Sequence, residues 1–267
     1  MEIVFIGAGR LATQLAKALH EKGHTITAVY SRTLASASAL NRQVGGMATN
    51  HLASLPPRAD AYIIAIKDSA LATVIPQLVK GREDQTFFHT AGSMPLQVFE
   101  GHATHAGVFY PMQTFSKERP VDFSHLPLFI EATDEATLRL ADTLARSVSD
   151  NVRAMSSDAR RYLHLAAVFA CNFVNHCYAL SAEILQRHDI PFDVMLPLID
   201  ETASKVKALS PREAQTGPAV RYDENVINAQ LELLSETPEL QQLYALMSKS
   251  IHSLSSDERN PIPKNKA

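Results

Sequence analysis

Residues 1–19 read MEIVFIGAGRLATQLAKAL and contain the strongest local signal in the chain. The short apolar run IVFIG has the composition of a buried strand, and RLATQLAKALHEKG places its apolar residues on one helical face. Between them lie Gly7, Ala8 and Gly9, with Ala12 where a third glycine would stand. A strand, a Gly-x-Gly turn and a helix in this order predict a loop that holds the phosphates of a dinucleotide.

Each position of this loop has a physical task. The first glycine permits the tight turn, and the second lets the backbone approach a pyrophosphate. The third position allows the helix to pack closely on the strand, and alanine is accepted there. The phosphates would rest on N–H groups at the start of the helix, near its positive dipole end. The predicted contacts are Gly7, Ala8, Gly9, Arg10 and Leu11. The alternative is a strand–turn–helix that binds no ligand.

Residues 1–154 alternate between strand-like and helix-like segments, whereas residues 155–267 are helix-like throughout. The alternation predicts an α/β domain with a doubly wound, mainly parallel sheet. The all-helical domain that follows begins with a helix of about thirty residues, capped by Ser156 or Ser157. The middle of this helix is apolar nearly all round, which predicts burial inside a bundle or against a second subunit.

Composition excludes several classes of protein. The 267 residues are 46% hydrophobic and 20% charged with a formal net charge of −3, which gives no electrostatic case for nucleic acid or an anionic membrane. The longest apolar run, LHLAAVFACNFV, is broken by His164 and Asn172 and is short for a membrane span. Cys171 and Cys177 fall on different helical faces, so we expect no disulfide and a reduced, cytoplasmic protein.

The end of the second predicted strand, VYSRT, indicates which dinucleotide binds. A carboxylate here would hold the ribose of NAD, whereas an arginine would take the 2′-phosphate of NADP. Residues 28–38 contain no Asp or Glu, and Ser31, Arg32 and Thr33 offer a guanidinium and two hydroxyls. We therefore expect NADP, with Arg10 as a second cation. The alternative is that Arg32 is a solvated loop residue.

Two later loops follow strands and should face the same ligand, because the carboxyl ends of parallel strands line the crevice of an open sheet. The first contains Ile66, Lys67 and Asp68, although Asp68 also has the position of a helix N-cap. The second, HTAGSMPL, runs from His89 through Ser93 and is predicted to close over the nicotinamide side. We assign Ser93 to the cofactor and His89 to the substrate.

The chain resembles a known group through GAGRLATQLAKAL, VYSRT, IKDSALATVIPQL, HTAGSMPLQVF and GVFYPMQTFS, and then LHLAAVFACNFVNH, MLPLIDET and TGPAVRYDENVI. These stretches are similar to uncharacterised Rossmann-like NADP oxidoreductases whose C-terminal half is a domain of unknown function. The layout is similar to pyrroline-5-carboxylate reductases, ketopantoate reductases and 6-phosphogluconate and β-hydroxyacid dehydrogenases. The resemblance implies an NADP-binding domain (1–154) and a helical domain for dimerisation and substrate (155–267).

One motif departs from the group. The group has Thr-Gly-Pro followed by an Arg-Gly-Asp-like run, and here Tyr222 stands in the glycine place of TGPAVRYDEN. Tyrosine resists the positive φ that glycine allows, which puts the local backbone in question.

The long helix carries the candidate catalytic groups. β-Hydroxyacid dehydrogenases use a lysine there, and this chain has only Lys117 between Lys80 and Lys205. At 100° per residue His164 and Asn175 lie within about 20° of each other, with Asn172 about 60° further round. We expect His164 to act as general acid while Asn172 and Asn175 orient the substrate. The alternative is a buried structural network at a dimer interface.

The substrate pocket needs a cation if the substrate is a small carboxylic acid. Arg221, with Thr216 and the N–H of Gly217, could supply it, and the alternative for Arg221 is a salt bridge to Asp223 or Glu224. His89, His102 and His105 raise the question of a metal, and we expect none. The sequence thus predicts an NADP-dependent oxidoreductase, a homodimer through its C-terminal helices, acting on a small anionic carbonyl or imine compound. The alternative is a non-catalytic NADP-binding sensor or scaffold.

Overall fold

The computed structural model of the protein describes residues 1–256. Strands and helices alternate in the first part, in the order β1 (Glu2–Ile6), α1 (Arg10–Glu21), β2 (Thr25–Tyr30), α2 (Leu34–Val44), β3 (Met47–Thr49), β4 (Ala61–Ile64), α3 (Asp68–Val79), β5 (Thr86–His89), β6 (His105–Pro111), β7 (Leu128–Ala132), α4 (Glu135–Val148) and β8 (Val152–Ala154). The helices that follow are α5 (Ser157–Ala167), α6 (Val174–Gln186), α7 (Leu196–Ala208), α8 (Pro211–Ala214), α9 (Pro218–Arg221), α10 (Glu224–Leu233) and α11 (Pro238–Ser256).

The eight strands form one sheet in the order β3-β2-β1-β4-β5-β6-β7-β8. Strands β1 to β6 are parallel, β7 pairs antiparallel with β6, and β8 runs parallel to β7. Because β1 lies between β2 and β4, the order of the strands reverses at β1, and a crevice opens there at the carboxyl ends of the strands. The predicted mainly parallel, doubly wound sheet is confirmed.

Both faces of the sheet are covered, which explains why its central strands are almost wholly apolar. On one face α1, α2 and α4 bury residues such as Leu15, Leu40 and Leu144 against the sheet. On the other face α3 buries Leu71 and Ile75, together with the short turn of helix Leu96–Phe99. The two cores hold the strand ends, and therefore the loops between them, in fixed positions.

A continuous helix runs from Ser157 to Gln186, and it confirms the predicted helix of about thirty residues. The Oγ of Ser156 accepts a hydrogen bond from the N–H of Ala159 at 3.3 Å, so Ser156 is the cap. A π-helical segment, Val168–Phe173, lies between α5 and α6. By length and composition alone this helix could cross a membrane: an 18-residue window has a mean hydropathy of 1.3, and none of that window is buried within the chain.

The chain forms two compact units, residues 1–177 and the residues from 178 onward, which divide inside this long helix. The first unit contains the whole sheet, and the second contains α7 to α11 together with the end of α6. The boundary predicted at 154/155 marks instead where the strands stop, and as a boundary between functions it stays a prediction.

Candidate functional site

The glycine loop joins β1 to α1 at the point where the strand order reverses. Gly7 has φ +119°, and a Cβ built on it would lie 2.2 Å from the carbonyl oxygen of Ala65 at the end of β4. The N–H of Gly7 donates to the carbonyl of Tyr30, at the end of β2, at 2.8 Å. Only glycine has both this conformation and this close approach to a neighbouring strand.

Gly9 is different, because it faces open space. A Cβ on Gly9 would meet no atom within 4 Å. Gly9 is the N-cap of α1, the first turn of α1 contains no acidic residue, and within residues 1–256 no side chain caps it. Arg10, next to it, is exposed. The first N–H groups of α1 therefore point toward an open, electropositive site that suits a phosphate.

The flanking positions of the loop have packing tasks. Ala12 is fully buried between α1 and the sheet, and Ala8 is nearly so. Leu11 is half-buried against the same core. Ala8 and Leu11 can therefore offer a ligand their backbone rather than their side chains.

The loop after β2 places a second cation at the same edge of the sheet. Ser31 is held by its N–H, which donates to the carbonyl of Thr49 at 3.1 Å. Arg32 and Thr33 are exposed, and the Thr33 hydroxyl donates to Ser36 Oγ at 2.8 Å. In the part of the chain that the structure describes, Arg32 has no ion-pair partner, and the first turn of α2 contains no acid.

The loop after β4 ends at Asp68, which is hydrogen-bonded to Ser93 in the loop after β5. Ile66 is half-buried and Lys67 is exposed. The N-cap of α3 is Lys67, with Asp68 as the first helical residue, so the alternative of Asp68 as an N-cap is wrong. The Asp68 carboxylate instead accepts a hydrogen bond from the Ser93 hydroxyl, which ties the β4 loop to the β5 loop. Both residues lie at the carboxyl edge of the sheet, as predicted.

His89 does not fit its predicted substrate contact. Its side chain is fully buried, its ring stacks on Phe99 with centroids 5.7 Å apart, and its Nδ1 accepts from the N–H of Ala91 at 3.2 Å. Burial lowers the pKa of His89 to about 3; the charge of Arg160 adds to this, and the backbone of Pro95 opposes it. A neutral, enclosed imidazole offers a substrate no surface, because β5 turns this position into the core.

A buried ion pair fixes the start of the long helix, and no pattern in the sequence predicts it. Arg160 is fully buried, and its guanidinium donates to Glu131 of β7 at 2.6 Å and to the carbonyl of Met94 at 2.6 Å. The Ser157 hydroxyl donates to Glu131 at 2.7 Å and accepts from the N–H of Leu96 at 2.8 Å. The partners lie 26 to 66 positions apart, so only the fold brings them together.

The long helix brings His164 to the carboxyl edge of β6. The Nδ1 of His164 lies 3.1 Å from the hydroxyl of Tyr110, and the two rings meet edge to face. A Cβ on Gly92 would lie 2.5 Å from that Nδ1, so the β5 loop also contacts the imidazole. Tyr110 is therefore a site residue that the sequence analysis missed, although it belongs to the quoted stretch GVFYPMQTFS.

Asn172 and Asn175, the other predicted catalytic groups, are exposed within one chain. The expected alignment with His164 assumed 100° per residue, but the π-helical segment Val168–Phe173 lies between them. A π-helix closes its hydrogen bonds over five residues and turns less at each one, so the predicted stripe is not continuous. The role of the two asparagines stays a prediction.

A loop after β6 borders the same edge and surrounds a cavity of about 560 Å³. The lining residues are Gln113, Thr114, Phe115, Ser116, Arg119, Pro120, Val121 and Asp122. Gln14 of α1, which is buried, holds the loop: its amide nitrogen donates to the carbonyls of Ser116 and Arg119 at 2.8 and 3.1 Å. The helix that begins at the glycine loop thus also positions this cavity.

In the second unit Thr216, Gly217 and Arg221 lie around the short helix α9. Gly217 has φ +109°, and Thr216 and Arg221 are exposed. Among the described residues Arg221 makes no ion pair, so the alternative salt bridge to Asp223 or Glu224 is not seen; Asp223 instead caps α10 by accepting from the N–H of Val226.

Tyr222 adopts the conformation that glycine would have had, with φ +52°. This left-handed conformation costs a non-glycine residue roughly 1–2 kcal/mol. The Tyr222 ring packs on His252, with centroids 4.7 Å apart, which offsets part of that cost. The departure from the group therefore leaves the turn in place.

Within residues 1–256, no group of three or more His, Cys, Asp or Glu could hold a metal ion. His105 pairs with the Asp134 carboxylate at 3.0 Å. This hydrogen bond, together with those from Thr137, holds the pKa of Asp134 well below its usual range. The pair anchors the start of α4 to β6.

The fold and the open glycine loop define a two-domain Rossmann protein of the oxidoreductase type. Residues 2–88 match a protein family described as "NADP oxidoreductase coenzyme F420-dependent", and residues 126–251 match a domain of unknown function, DUF2520. No match is found among the curated proteins.

Solved structures extend the comparison over nearly the whole chain. A protein from Bacteroides fragilis, named a "putative NADP oxidoreductase", is 54% identical, with 94% of this chain and 98% of that chain covered and a TM-score of 0.91. The chain therefore belongs to the same family of NADP-oxidoreductase-like proteins with a DUF2520 domain. The resemblance stated from the sequence is confirmed.

Two more distant structures share the fold. An imine reductase from Myxococcus stipitatus in complex with NADP⁺ is 15% identical, with 95% of this chain and 92% of that chain covered and a TM-score of 0.66. A 1-pyrroline-5-carboxylate reductase from Streptococcus pyogenes is 16% identical, with 95% and 98% covered and a TM-score of 0.62.

Proposed function

We propose that this protein is an NADP(H)-dependent oxidoreductase that transfers a hydride to or from a small, anionic carbonyl or imine compound. One observation carries the proposal: the start of α1 is uncapped, faces open space at Gly9, and has Arg10 beside it. Membership in a family of NADP-oxidoreductase-like proteins supports it, as do the names of the two distant relatives.

Positively charged groups of the protein bind the phosphates of the cofactor. In this proposal the pyrophosphate rests on the first N–H groups of α1, and Arg32, with Ser31 and Thr33, takes the 2′-phosphate of NADP. Each charge-assisted hydrogen bond to a phosphate contributes about 1.5–3 kcal/mol. Because Arg32 is exposed and has no ion-pair partner within residues 1–256, its guanidinium is free to make such bonds.

When bound, NADPH supplies a hydride, and the chain must supply the binding groups and a proton. Ile66, Lys67, Asp68 and Ser93 lie at the carboxyl edge of β4 and β5 and border the cofactor in this proposal. His164 reaches the same edge and serves in proton transfer, while Asn172 and Asn175 orient the substrate. Arg221, Thr216 and the N–H of Gly217 hold a substrate carboxylate.

The second subunit is a further part of the proposal. The apolar residues Tyr162, Leu165, Phe169 and Phe173 of the long helix are each about half or more exposed within one chain. Exposed apolar surface of this extent marks a site of association. We propose that a second copy of the chain covers it, that the homodimer is cytoplasmic, and that neither nucleic acid nor membrane is a partner.

The proposal is tested by titrating the full chain with NADPH and NADH, followed by calorimetry. We expect NADPH to bind at least about tenfold more tightly than NADH, and Arg32→Ala to remove that preference, since one to two charge-assisted hydrogen bonds are lost. Arg42→Ala, an exposed arginine in the last turn of α2, is the matched control and should change neither constant. Equal binding of both nucleotides would contradict the cofactor assignment.

A glycine variant tests the location of the pyrophosphate. Gly9→Ala meets no atom of the protein, so the fold and its melting temperature should stay unchanged while NADPH affinity falls, because the added methyl fills the open space. Unchanged NADPH affinity in a folded Gly9→Ala protein would show that the glycine loop is only a structural turn. Turnover of small keto and imino acids then separates an enzyme from a sensor.

A further inference from the structure

The buried phenol of Tyr110 pairs with the half-buried imidazole of His164. Tyr110, near the end of β6, is 8% exposed, and its hydroxyl lies 3.1 Å from Nδ1 of His164. Their ring centroids are 6.1 Å apart and their planes are 70° apart, so the imidazole edge meets the phenol. His164 itself is only half-buried.

The pair lies at the carboxyl edge of the parallel strands, where open sheets bind their ligands. A Cβ on Gly92 would lie 2.5 Å from His164 Nδ1 and 2.8 Å from Tyr110 Cζ, so the loop after β5 touches both rings. The next residue, Ser93, donates to Asp68 at the end of the β4 loop. Groups from three successive strand ends therefore meet around the phenol.

Tyr62 shows what a purely structural tyrosine is like in the same sheet. It is fully buried, and its hydroxyl donates to a backbone carbonyl, that of Pro56, at 2.6 Å. Tyr110 instead pairs with a side chain that can carry a proton and that reaches solvent. Tyr62 also lies beside the Arg82 guanidinium, which stays charged and cannot return a proton to a phenolate, whereas an imidazole can.

We infer that Tyr110 is the acid that gives the proton to the substrate heteroatom, and that His164 orients Tyr110 and restores its proton. The inference rests on the proposed function. In the reducing direction, the substrate carbon gains the hydride that bound NADPH would supply, which leaves NADP⁺, and the substrate oxygen or nitrogen gains the electron pair of the double bond. The O–H bond of Tyr110 then breaks, a new O–H or N–H bond forms on the substrate, and the phenolate takes a proton from His164, which recovers one from solvent.

The electrostatics of the phenol set its starting state. Burial raises the pKa of Tyr110, and the nearby groups of Asp68 and Cys171 raise it further, while the charge of Arg160 acts in the opposite direction. Tyr110 is therefore protonated at neutral pH and is a weaker acid than a free phenol, and it gives up its proton only to a stronger base, such as the alkoxide or amine anion that forms on the substrate.

The test uses the ionisation of Tyr110 in the full chain with each cofactor bound. The chain contains seven tyrosines and no tryptophan, so the near-ultraviolet absorbance change with pH reports the tyrosines once the spectrum of the cofactor at the same pH is subtracted. The step that disappears in Tyr110→Phe is that of Tyr110, and Tyr62→Phe is the matched control. The nicotinamide ring is positively charged in NADP⁺ and neutral in NADPH, and a nearby positive charge favours the phenolate.

We expect the Tyr110 step to lie at lower pH with NADP⁺ than with NADPH by about half a unit or more, and the Tyr62 step to be the same with both. An identical Tyr110 step with the two cofactors would overturn the inference while leaving cofactor binding intact. If neither nucleotide binds, the proposed function fails, and this inference fails with it.

A second variant keeps the test open if Tyr110→Phe does not fold. His164→Gln retains a hydrogen-bonding side chain but cannot carry the proton. Only the tyrosine bonded to position 164 should change its ionisation in this variant, which identifies the Tyr110 step without replacing Tyr110. Steps that are all unchanged in His164→Gln would overturn the pairing of the two residues.

Discussion

The two compact units have similar amphipathic helices but differ in how much of the apolar surface is buried. In residues 1–177 the helices α1 to α4 each bury a face against the sheet, with Leu15 and Leu144 fully enclosed. From residue 178 to 256, the buried apolar residues are Ala219 and Ile227 alone. Large side chains such as Leu198 and Leu246 stay more than half exposed there.

An apolar helical face does not form a core by itself, because it must pack against another surface to be removed from water. In the first unit the sheet is that partner, because helices lie on both of its faces and bury their apolar residues against it. In the second unit the helices bury few of one another's apolar residues. The apolar surface that stays exposed is available for contact with another molecule. The comparison predicts that the helices packed on the sheet are stable within the chain, whereas the long helix and the helices that follow it are stabilised by association.

The largest expected effect breaks the association. Phe169 and Phe173 pack edge to face at 4.9 Å yet are exposed at 62% and 49%. In the proposed homodimer, Phe173→Asp would lose about 1.5–3 kcal/mol of apolar burial in each subunit and bury a charge, which should dissociate it. Sedimentation should show wild type at twice the 29.3 kDa chain mass and the variant at 29.3 kDa.

Met47→Asp, a partly exposed apolar residue of β3, is the control and should leave the sedimenting mass unchanged. A wild-type protein that sediments as a monomer would refute the dimer. Recruitment of the wild-type chain to lipid vesicles would mean that a membrane, instead of a second copy, covers the long helix.

The next largest effect lies inside the first unit. Arg160→Ala leaves Glu131 without its buried partner, and we expect a loss of about 3–5 kcal/mol in the free energy of unfolding. Arg146→Ala removes an exposed pair with Asp142 on α4 and should cost about 0.5 kcal/mol or less. Urea unfolding measures both. Similar losses in the two variants would mean that the buried network does not anchor the long helix.

The smallest effect is a pH dependence that His89 gives to the first unit. Burial lowers the folded-state pKa of His89 to about 3 from its ordinary value of 6.5, so below pH 6.5 the unfolded chain binds a proton that the folded protein does not. Stability is therefore fully present above pH 6.5 and falls as the pH drops toward 3, by about 2 kcal/mol at pH 5.

His89→Gln, which does not titrate, should remove this part of the slope. Unfolding free energies of wild type and variant, measured by urea titration from pH 8 to pH 4, should run parallel above about pH 6.5 and converge below it. Curves that stay parallel at all pH values would show that His89 does not remain neutral in the folded protein.

The sequence predicted the Rossmann half well because its signals are local. The strand β1, the turn at Gly7 and the helix α1 lie within 21 consecutive residues, and their order alone predicts the topology. The same locality predicted the length of the long helix and limited its cap to Ser156 or Ser157, of which the structure has Ser156. The sequence also predicted that the candidate cofactor residues lie near one another, because the carboxyl ends of parallel strands meet at one edge of the sheet.

Predictions that needed distance or direction were weaker. His89 ends a strand like its neighbours, but strand alternation turns it toward Phe99 and the core. The expected alignment of Asn172 and Asn175 with His164 assumed a regular α-helix, and a π-helical segment between them changes the angle per residue. The amino-acid composition of this segment does not predict a π-helix. Tyr110 has no partner near it in sequence, since His164 lies 54 positions away.

The sequence by itself determined the architecture of this protein: periodicity and turn residues act over a few positions, and steric restrictions on the backbone convert them directly into strands, helices and the glycine loop. The tertiary structure alone decided the pairs that join distant segments, namely Tyr110 with His164, Arg160 with Glu131 and Asp68 with Ser93. The physical reason is that hydrogen bonds and ion pairs depend on ångström distances, which only packing of the whole sheet and its helices sets.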